Sequence, residues 1–201
     1  MQKPRYALVA YLNNPAGEFV ENLRRELHPD LPHLAAHLTI LPPRPLQGSE
    51  SSALQVLERI CGLEEPFEVT LGNVETFVPV TPTVYIKVDG GAGRMSDLHS
   101  KLNTEALAFQ EEWQYIPHVT IVKMTAEQPA QTAFQMARER WAQFSGSRRI
   151  LRPGSLSACP NHALDSPASG ALSTARTSKC ELGGSPACTV SFDPFSHRNR
   201  M

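Results

Sequence analysis

Two short segments of this chain, 81 residues apart, share the pattern histidine, apolar residue, threonine, apolar residue. They occupy residues 37–40 and 118–121. Successive side chains of a β-strand point to opposite faces, so the histidine and threonine of each segment share one face and the two aliphatic residues share the other. Two such strands side by side would bring together two imidazoles and two hydroxyls. That set suffices for acid–base chemistry on a phosphate.

A single histidine placed two residues before a threonine is more often a half-buried strand residue than part of a site. Here the pattern occurs twice, with apolar residues at both remaining positions, which is rare by chance in a chain that is 41% hydrophobic. Histidine titrates near neutral pH and is suited to moving protons. We therefore interpret His37 and His118 as a catalytic pair. The remaining histidines lack a threonine two residues on: His28, His33, His99, His162 and His197.

The composition is typical of a soluble globular protein and leaves several function classes without support. The formal net charge is −1, so no general basic field attracts nucleic acid, and RNA contact would need a local basic groove. No run of about 18 apolar residues occurs, and the N-terminus lacks a signal-peptide pattern. The four cysteines form no CxxC pair. We therefore expect no metal site, no cofactor, no membrane partner and a cytoplasmic location.

The order of predicted elements is β-α-β-α-β followed by β-α-β-α, with one His-x-Thr strand in each half. Strands are expected over residues 5–12, 67–78 and 83–88, and helices over residues 52–63 and 127–144. A Gly-rich turn over residues 89–93 leads into a helix expected to include Leu98, Leu102, Ala106 and Phe109. It resembles a plain strand-to-helix turn more than a phosphate cradle. The pattern predicts two α+β halves around a central cleft.

The composition changes at about residue 152. Residues 152–201 are rich in serine, proline and glycine and show no apolar period. Such a segment buries too little surface to offset its ordering entropy. We therefore predict a folded domain over residues 1–151 and a low-complexity, disordered tail over residues 152–201. Because Pro153 and Gly154 interrupt the segment that follows the last helix, the second half is expected to lack its closing strand.

Paired His-x-Thr segments about 80 residues apart, within the stretches HLTILPP and IPHVTIVK, resemble the two-histidine phosphoesterase superfamily. The nearest branch is that of the 2′–5′ RNA ligases and RNA 2′,3′-cyclic phosphodiesterases. The resemblance implies a bilobal α+β fold with pseudo-twofold symmetry and a central groove. It also implies metal-independent hydrolysis of 2′,3′-cyclic phosphates or 2′–5′ phosphodiesters in RNA or nucleotides, with 2′–5′ ligation as the reverse reaction.

The resemblance also implies roles for individual residues. His37 and His118 would be the general base and the general acid, in either order, and Thr39 and Thr120 would contact the phosphate. Lys123 stands where the branch often has a basic residue, although strict alternation would turn it away from His118.

Weaker candidates surround the two motifs. Arg44 is expected to line the groove and bind phosphate, and Tyr85 and Tyr115 are candidates for stacking on a substrate base. We expect a monomer. The alternative function is a catalytically impaired module that binds nucleotides or RNA.

Overall fold

The computed structural model describes residues 4–29, 35–151 and 188–195. These residues form seven strands and four α-helices, with a short 3₁₀ turn at Glu105–Leu107. The strands are β1 Arg5–Leu12, β2 His37–Arg44, β3 Val69–Thr76, β4 Thr83–Val88, β5 His118–Lys123, β6 Arg149–Leu151 and β7 Cys188–Phe195. The helices are α1 Pro15–Leu27, α2 Glu50–Cys61, α3 Ala92–Leu102 and α4 Glu127–Ala142.

Local sequence accounts for where three of the helices begin. The side chain of Asn14 accepts a hydrogen bond from the backbone of Gly17 at the start of α1, and Ser49 caps α2 in the same way through Ser52. Gly91 precedes α3 with a φ of 81°, and a Cβ there would lie 2.3 Å from the Glu68 carbonyl oxygen. The Gly-rich turn is thus fitted closely against the backbone at the start of β3.

The third helix is shorter than the sequence predicted. It ends at Leu102, so the expected inclusion of Ala106 and Phe109 was wrong. The side chain of Asn103 accepts a hydrogen bond from the Phe109 N–H at 2.8 Å and donates one to the Phe109 carbonyl at 3.1 Å. These bonds close a loop at the point where the apolar period alone would have continued the helix.

The strands form one sheet in the order β6-β3-β4-β5-β2-β1-β7. The motif strands β2 and β5 are neighbours at its centre, and their register is antiparallel with Leu38 opposite Val119. Each of these two residues is the middle residue of a His-x-Thr triplet. A pseudo-twofold axis therefore passes through this pair, and it relates β2 to β5, β1 to β4 and α1 to α3. The predicted α+β class is confirmed.

The same symmetry explains where the halves end. The last strand of the first half, β3, pairs with β4 of the second half. Its symmetry mate must be a strand that pairs with β1, and β7 takes this position with eight consecutive register pairs, from Arg5 opposite Phe195 to Leu12 opposite Cys188. The short strand β6 lies instead beyond β3, at the opposite edge.

The expectation that the second half lacks its closing strand is therefore corrected. The closing strand is present, and it comes from residues 188–195 within the segment that was predicted to be disordered. Composition averaged over fifty residues hid the local alternation Thr189-Val190-Ser191-Phe192, which is typical of a strand. The rest of the predicted tail, residues 152–187 and 196–201, lies outside the described residues.

One face of the sheet carries the core. Leu38 and Ile40 of β2, with Val119 and Ile121 of β5, belong to a single buried cluster together with side chains from all four helices. The opposite face of the two central strands carries the motif histidines and threonines, and we call it the motif face. Among the described residues, no helix is long and apolar enough to cross a membrane.

Candidate active site

The pairing of Leu38 with Val119 brings the two motifs together. Counting outward from this pair in the antiparallel register sets His37 opposite Thr120 and Thr39 opposite His118. Residues directly opposite one another in such a pair share a face. The four polar side chains therefore form one cluster on the motif face, and each is half-buried.

Both imidazoles are oriented by the same local contact. Nδ1 of His37 lies 2.8 Å from the Ala35 carbonyl oxygen, and Nδ1 of His118 lies 2.6 Å from the Ile116 carbonyl oxygen. A carbonyl can only accept, so each Nδ1 carries a proton and donates it. The neutral form of each ring then carries its lone pair on Nε2. In both motifs the acceptor is the carbonyl two residues before the histidine.

Aromatic rings surround His118. Phe77 and Tyr85 stack on each other with centroids 4.1 Å apart, and the centroid of each lies 5.1 Å from that of His118. Burial among these rings lowers the pKa of His118, and the nearby charge of His37 lowers it further, although the hydrogen bond to Ile116 acts in the opposite direction. His118 is therefore held toward its neutral form.

The cross-strand neighbours of the two histidines differ. Tyr11 lies opposite His37, and its ring meets the imidazole edge-on with centroids 6.1 Å apart. Lys87 lies opposite His118, and its side chain is 50% exposed, with Nζ 3.8 Å from a Glu75 carboxylate oxygen. Lys87 was missed in the sequence, where the only signal was a single lysine in an apolar strand.

An irregularity in β5 changes the direction of Lys123. Thr120 lies opposite Tyr85, yet Lys123 lies opposite Thr83, because the register shifts by one residue between these pairs. Thr83 and Tyr85 are two apart on one strand and share a face, so Lys123 shares the face of Thr120. Strict alternation along β5 would have turned Lys123 away from the motif face.

Comparison with known proteins adds to this geometry. Residues 13–147 match the model of a family described as the 2′-5′ RNA ligase superfamily. The chain belongs to the 2′-5′ RNA ligase superfamily. Both His-x-Thr segments fall within the matched residues, and so do α1, β4 and Lys87.

Individual relatives of this superfamily member come from bacteria, and each bears a name that begins "Putative phosphoesterase". A protein of Oceanobacillus iheyensis is 27% identical over 122 residues, which cover 59% of this chain and 70% of that protein. One of Halalkalibacterium halodurans is 24% identical over 117 residues, covering 58% and 68%. One of Bacillus licheniformis is 21% identical over 124 residues, covering 61% and 73%.

Arg44 does not lie where the sequence predicted. Strand β2 continues through both prolines, and Arg44 is 0% exposed. Its guanidinium donates to the Asn103 side chain at 2.8 Å and to the Leu107 carbonyl at 3.1 Å, and it forms an ion pair with Glu111. The prediction that Arg44 lines the groove was wrong, because β2 carries it into a buried polar network instead of a solvated loop.

The two tyrosines expected to stack on a base are engaged within the protein. Tyr85 is 4% exposed, with its ring against Phe77, and burial together with its hydrogen bond to Glu75 raises the pKa of Tyr85 to about 12. Tyr115 stacks on His99 with centroids 4.0 Å apart and donates its hydroxyl to the Thr39 carbonyl at 2.8 Å. Burial raises the pKa of Tyr115, which keeps the hydroxyl a donor.

The described residues contain no group of three or more His, Cys, Asp or Glu side chains arranged to hold a metal ion. Cys61, at the end of α2, is a free thiol. The two motif imidazoles are groups that can move protons, and Lys87, Lys123 and the Glu75 carboxylate lie on the same face.

Proposed function

We propose that this protein is a metal-independent phosphoesterase that hydrolyses 2′,3′-cyclic phosphates or 2′–5′ phosphodiesters in RNA or nucleotides. The observation that supports the proposal most directly is the pairing of the two motifs across Leu38 and Val119, which places two oriented imidazoles and two hydroxyls on one face. Membership of the 2′-5′ RNA ligase superfamily and the names of the bacterial relatives agree with it.

The reaction needs two proton transfers. One imidazole takes a proton from the attacking water, and the other gives a proton to the departing ribose oxygen, so that one P–O bond forms and one breaks. We assign the base to His118, because its lowered pKa keeps the ring neutral and able to accept a proton at Nε2. His37 then acts as the acid. Each transfer is typically worth about 10²–10⁴-fold in rate.

Charge grows on the nonbridging oxygens as phosphorus becomes five-coordinate. The hydroxyls of Thr39 and Thr120 can donate to these oxygens, and losing a comparable donor costs about 2–4 kcal/mol in other oxyanion sites. Lys123 and Lys87 add positive charge on the same face, where they would attract the phosphate and any neighbouring one. With a ribose 5′-hydroxyl in place of water, the same groups would form a P–O bond to the 5′-oxygen and break the bond to the 3′-oxygen, which takes the proton, giving 2′–5′ ligation.

A substrate panel tests the proposal. Purified protein would be incubated with 2′,3′-cyclic mononucleotides, a cyclic-phosphate-ended RNA, a 2′–5′ dinucleotide and an ADP-ribose cyclic phosphate, beside a His37→Ala sample. We expect hydrolysis of at least one of these by the wild-type protein and not by the variant. Saturable binding without turnover across the panel would contradict the proposal and favour a nucleotide-binding module.

A further inference from the structure

The backbone of the second motif is held by a helix from the first half. Nε of Arg24, on α1, donates to the Ile121 carbonyl at 2.8 Å, and Nη2 of Arg24 donates to the Thr120 carbonyl at 2.8 Å. These carbonyls belong to the third and fourth residues of the second motif. A single guanidinium therefore fixes two consecutive peptide groups of the strand that carries His118.

The backbone of the first motif is held from the second half. Nδ1 of His99, on α3, lies 2.8 Å from the Ile40 carbonyl, and the Tyr115 hydroxyl donates to the Thr39 carbonyl at 2.8 Å. The rings of His99 and Tyr115 lie parallel, with an interplanar angle of 1°, so each fixes the other. These carbonyls again belong to the third and fourth residues of the motif.

The two arrangements are equivalent under the pseudo-twofold axis. Helices α1 and α3 are related by the axis, and each contacts the motif strand of the other half. The chemistry differs, since one arginine provides on one side what a histidine and a tyrosine provide on the other. For this reason a search for repeated residues in the two halves does not reveal the relationship.

Burying the polar side chains of Arg24 and His99 costs free energy. Arg24 is 9% exposed and His99 is 7% exposed, and a buried polar or charged group costs free energy unless its hydrogen bonds are made. An apolar side chain of similar volume would fill the same space without that cost. An apolar side chain could not donate hydrogen bonds to the motif carbonyls. Displacing a catalytic group by about 1 Å can lower the reaction rate about 10²-fold.

We propose that Arg24 and the His99–Tyr115 pair are positioning residues, which fix the two motif strands across the junction of the halves and thereby place the imidazoles. The inference rests on the proposed function of the motifs. Arg24 sets the strand of His118, and Tyr115 with His99 sets the strand of His37. We expect neither Arg24 nor the His99–Tyr115 pair to touch the substrate.

Two substitutions test this, each with a matched control. Arg24→Met removes the guanidinium and keeps the aliphatic volume, and its control is Arg25→Met, which alters an exposed arginine that hydrogen-bonds to Glu21 and Asn22 of α1. Tyr115→Phe removes one hydroxyl and keeps the ring stack, and its control is Tyr6→Phe, whose hydroxyl bonds to Glu50. Imidazole ¹⁵N resonances, kcat, KM and thermal melting would be measured for each.

We expect Arg24→Met to shift the imidazole resonances of His118 and Tyr115→Phe to shift those of His37. Each should lower kcat about 10-fold or more with little change in KM, while the controls change neither. Arg24→Lys should restore part of the loss. A lowered melting temperature with unchanged kcat and unshifted resonances would overturn the proposal. If Arg24→Met does not fold, Tyr115→Phe decides the outcome.

The resonance shifts need no substrate, so they separate this inference from the proposed function. A wild-type protein that hydrolyses nothing in the panel, yet shows the paired shifts, would refute the function and leave the positioning intact. An active wild-type protein whose supports can be removed without loss of kcat or change in resonance would refute the positioning alone.

Discussion

Lys87 lies directly opposite His118 in the register between β4 and β5, whereas the equivalent partner of His37 is Tyr11. The motif face is therefore electrically asymmetric, although the motifs are related by a pseudo-twofold axis. One end carries the half-exposed ammonium group of Lys87 beside the Glu75 carboxylate, and the other carries an aromatic ring. A phosphate-bearing substrate would bind such a face in a preferred direction.

We expect Lys87→Ala to raise KM several-fold while kcat changes little, because a cation that attracts the substrate equally in the ground and transition states contributes to binding alone. The wild-type KM should also rise with salt, and the variant's KM should rise less. Lys101→Ala is the matched control, since Lys101 is exposed on α3 and pairs with Glu64. An unchanged KM at low salt would contradict the assignment.

His37→Ala and His118→Ala should each lower kcat by at least about 10²-fold, because each removes one of the two proton transfers. Thr39→Val and Thr120→Val should cost less. His28→Ala, at the end of α1, is the control, and melting curves would show that each variant is folded. Near-normal turnover by either folded histidine variant would show that the two-imidazole assignment is wrong.

The pH dependence of kcat/KM should be bell-shaped, with its acidic limb below pH 6.5, the ordinary pKa of a histidine. The sign follows from burial and from the charge of His37, both of which lower the pKa of His118. The base then stays neutral, and active, to lower pH than a solvent-exposed histidine would. An acidic limb centred above the ordinary value would show that His118 is not the base.

Hydrolysis should persist in EDTA at full rate, because the two imidazoles of the motif face supply both proton transfers. The measurement is the initial rate before and after chelation and dialysis, followed by addition of Mg²⁺, Mn²⁺ or Zn²⁺. Activity that disappears with the chelator and returns with one of these ions would refute the metal-free mechanism.

Truncation after residue 187 should lower the melting temperature by roughly 5 °C or more, since about 1 kcal/mol corresponds to 2–4 °C in a chain of this size. The reason is the loss of the eight-residue pairing of β7 with β1, which would leave β1 as an open edge. Truncation after residue 195 keeps β7 and is the control. Equal melting temperatures for the two truncations would show that β7 does not stabilise the sheet.

The sequence predicted the parts of this protein that follow from local periodicity. The His-x-Thr pattern predicted which faces of β2 and β5 are polar, and strand β1 was predicted with its observed bounds, Arg5–Leu12. Apolar stripes located α2 and α4 to within a few residues. In each case the determining contacts repeat every two or every three to four residues, which a single sequence displays directly.

The remaining features depend on partners that are distant in the sequence. Lys123 reaches the motif face only because the register with β4 shifts by one residue, and no local sequence pattern predicts that shift. Arg44 is buried because Glu111, 67 positions away, is there to pair with it. Arg24 was not singled out in the sequence, since its acceptors lie in the other half.

The pairing of β1 with β7 also bears on how the chain is made. Its two strands are far apart in the sequence, with Leu8 opposite Phe192. On the ribosome, β1 is synthesised well before β7, because β2 to β6 lie between them in the chain. Contacts of such wide separation form slowly, so a nascent chain carries the unsatisfied outer edge of β1 until β7 has been synthesised. Strand β1 thus gains its outer neighbour only after the other strands of the sheet have been made.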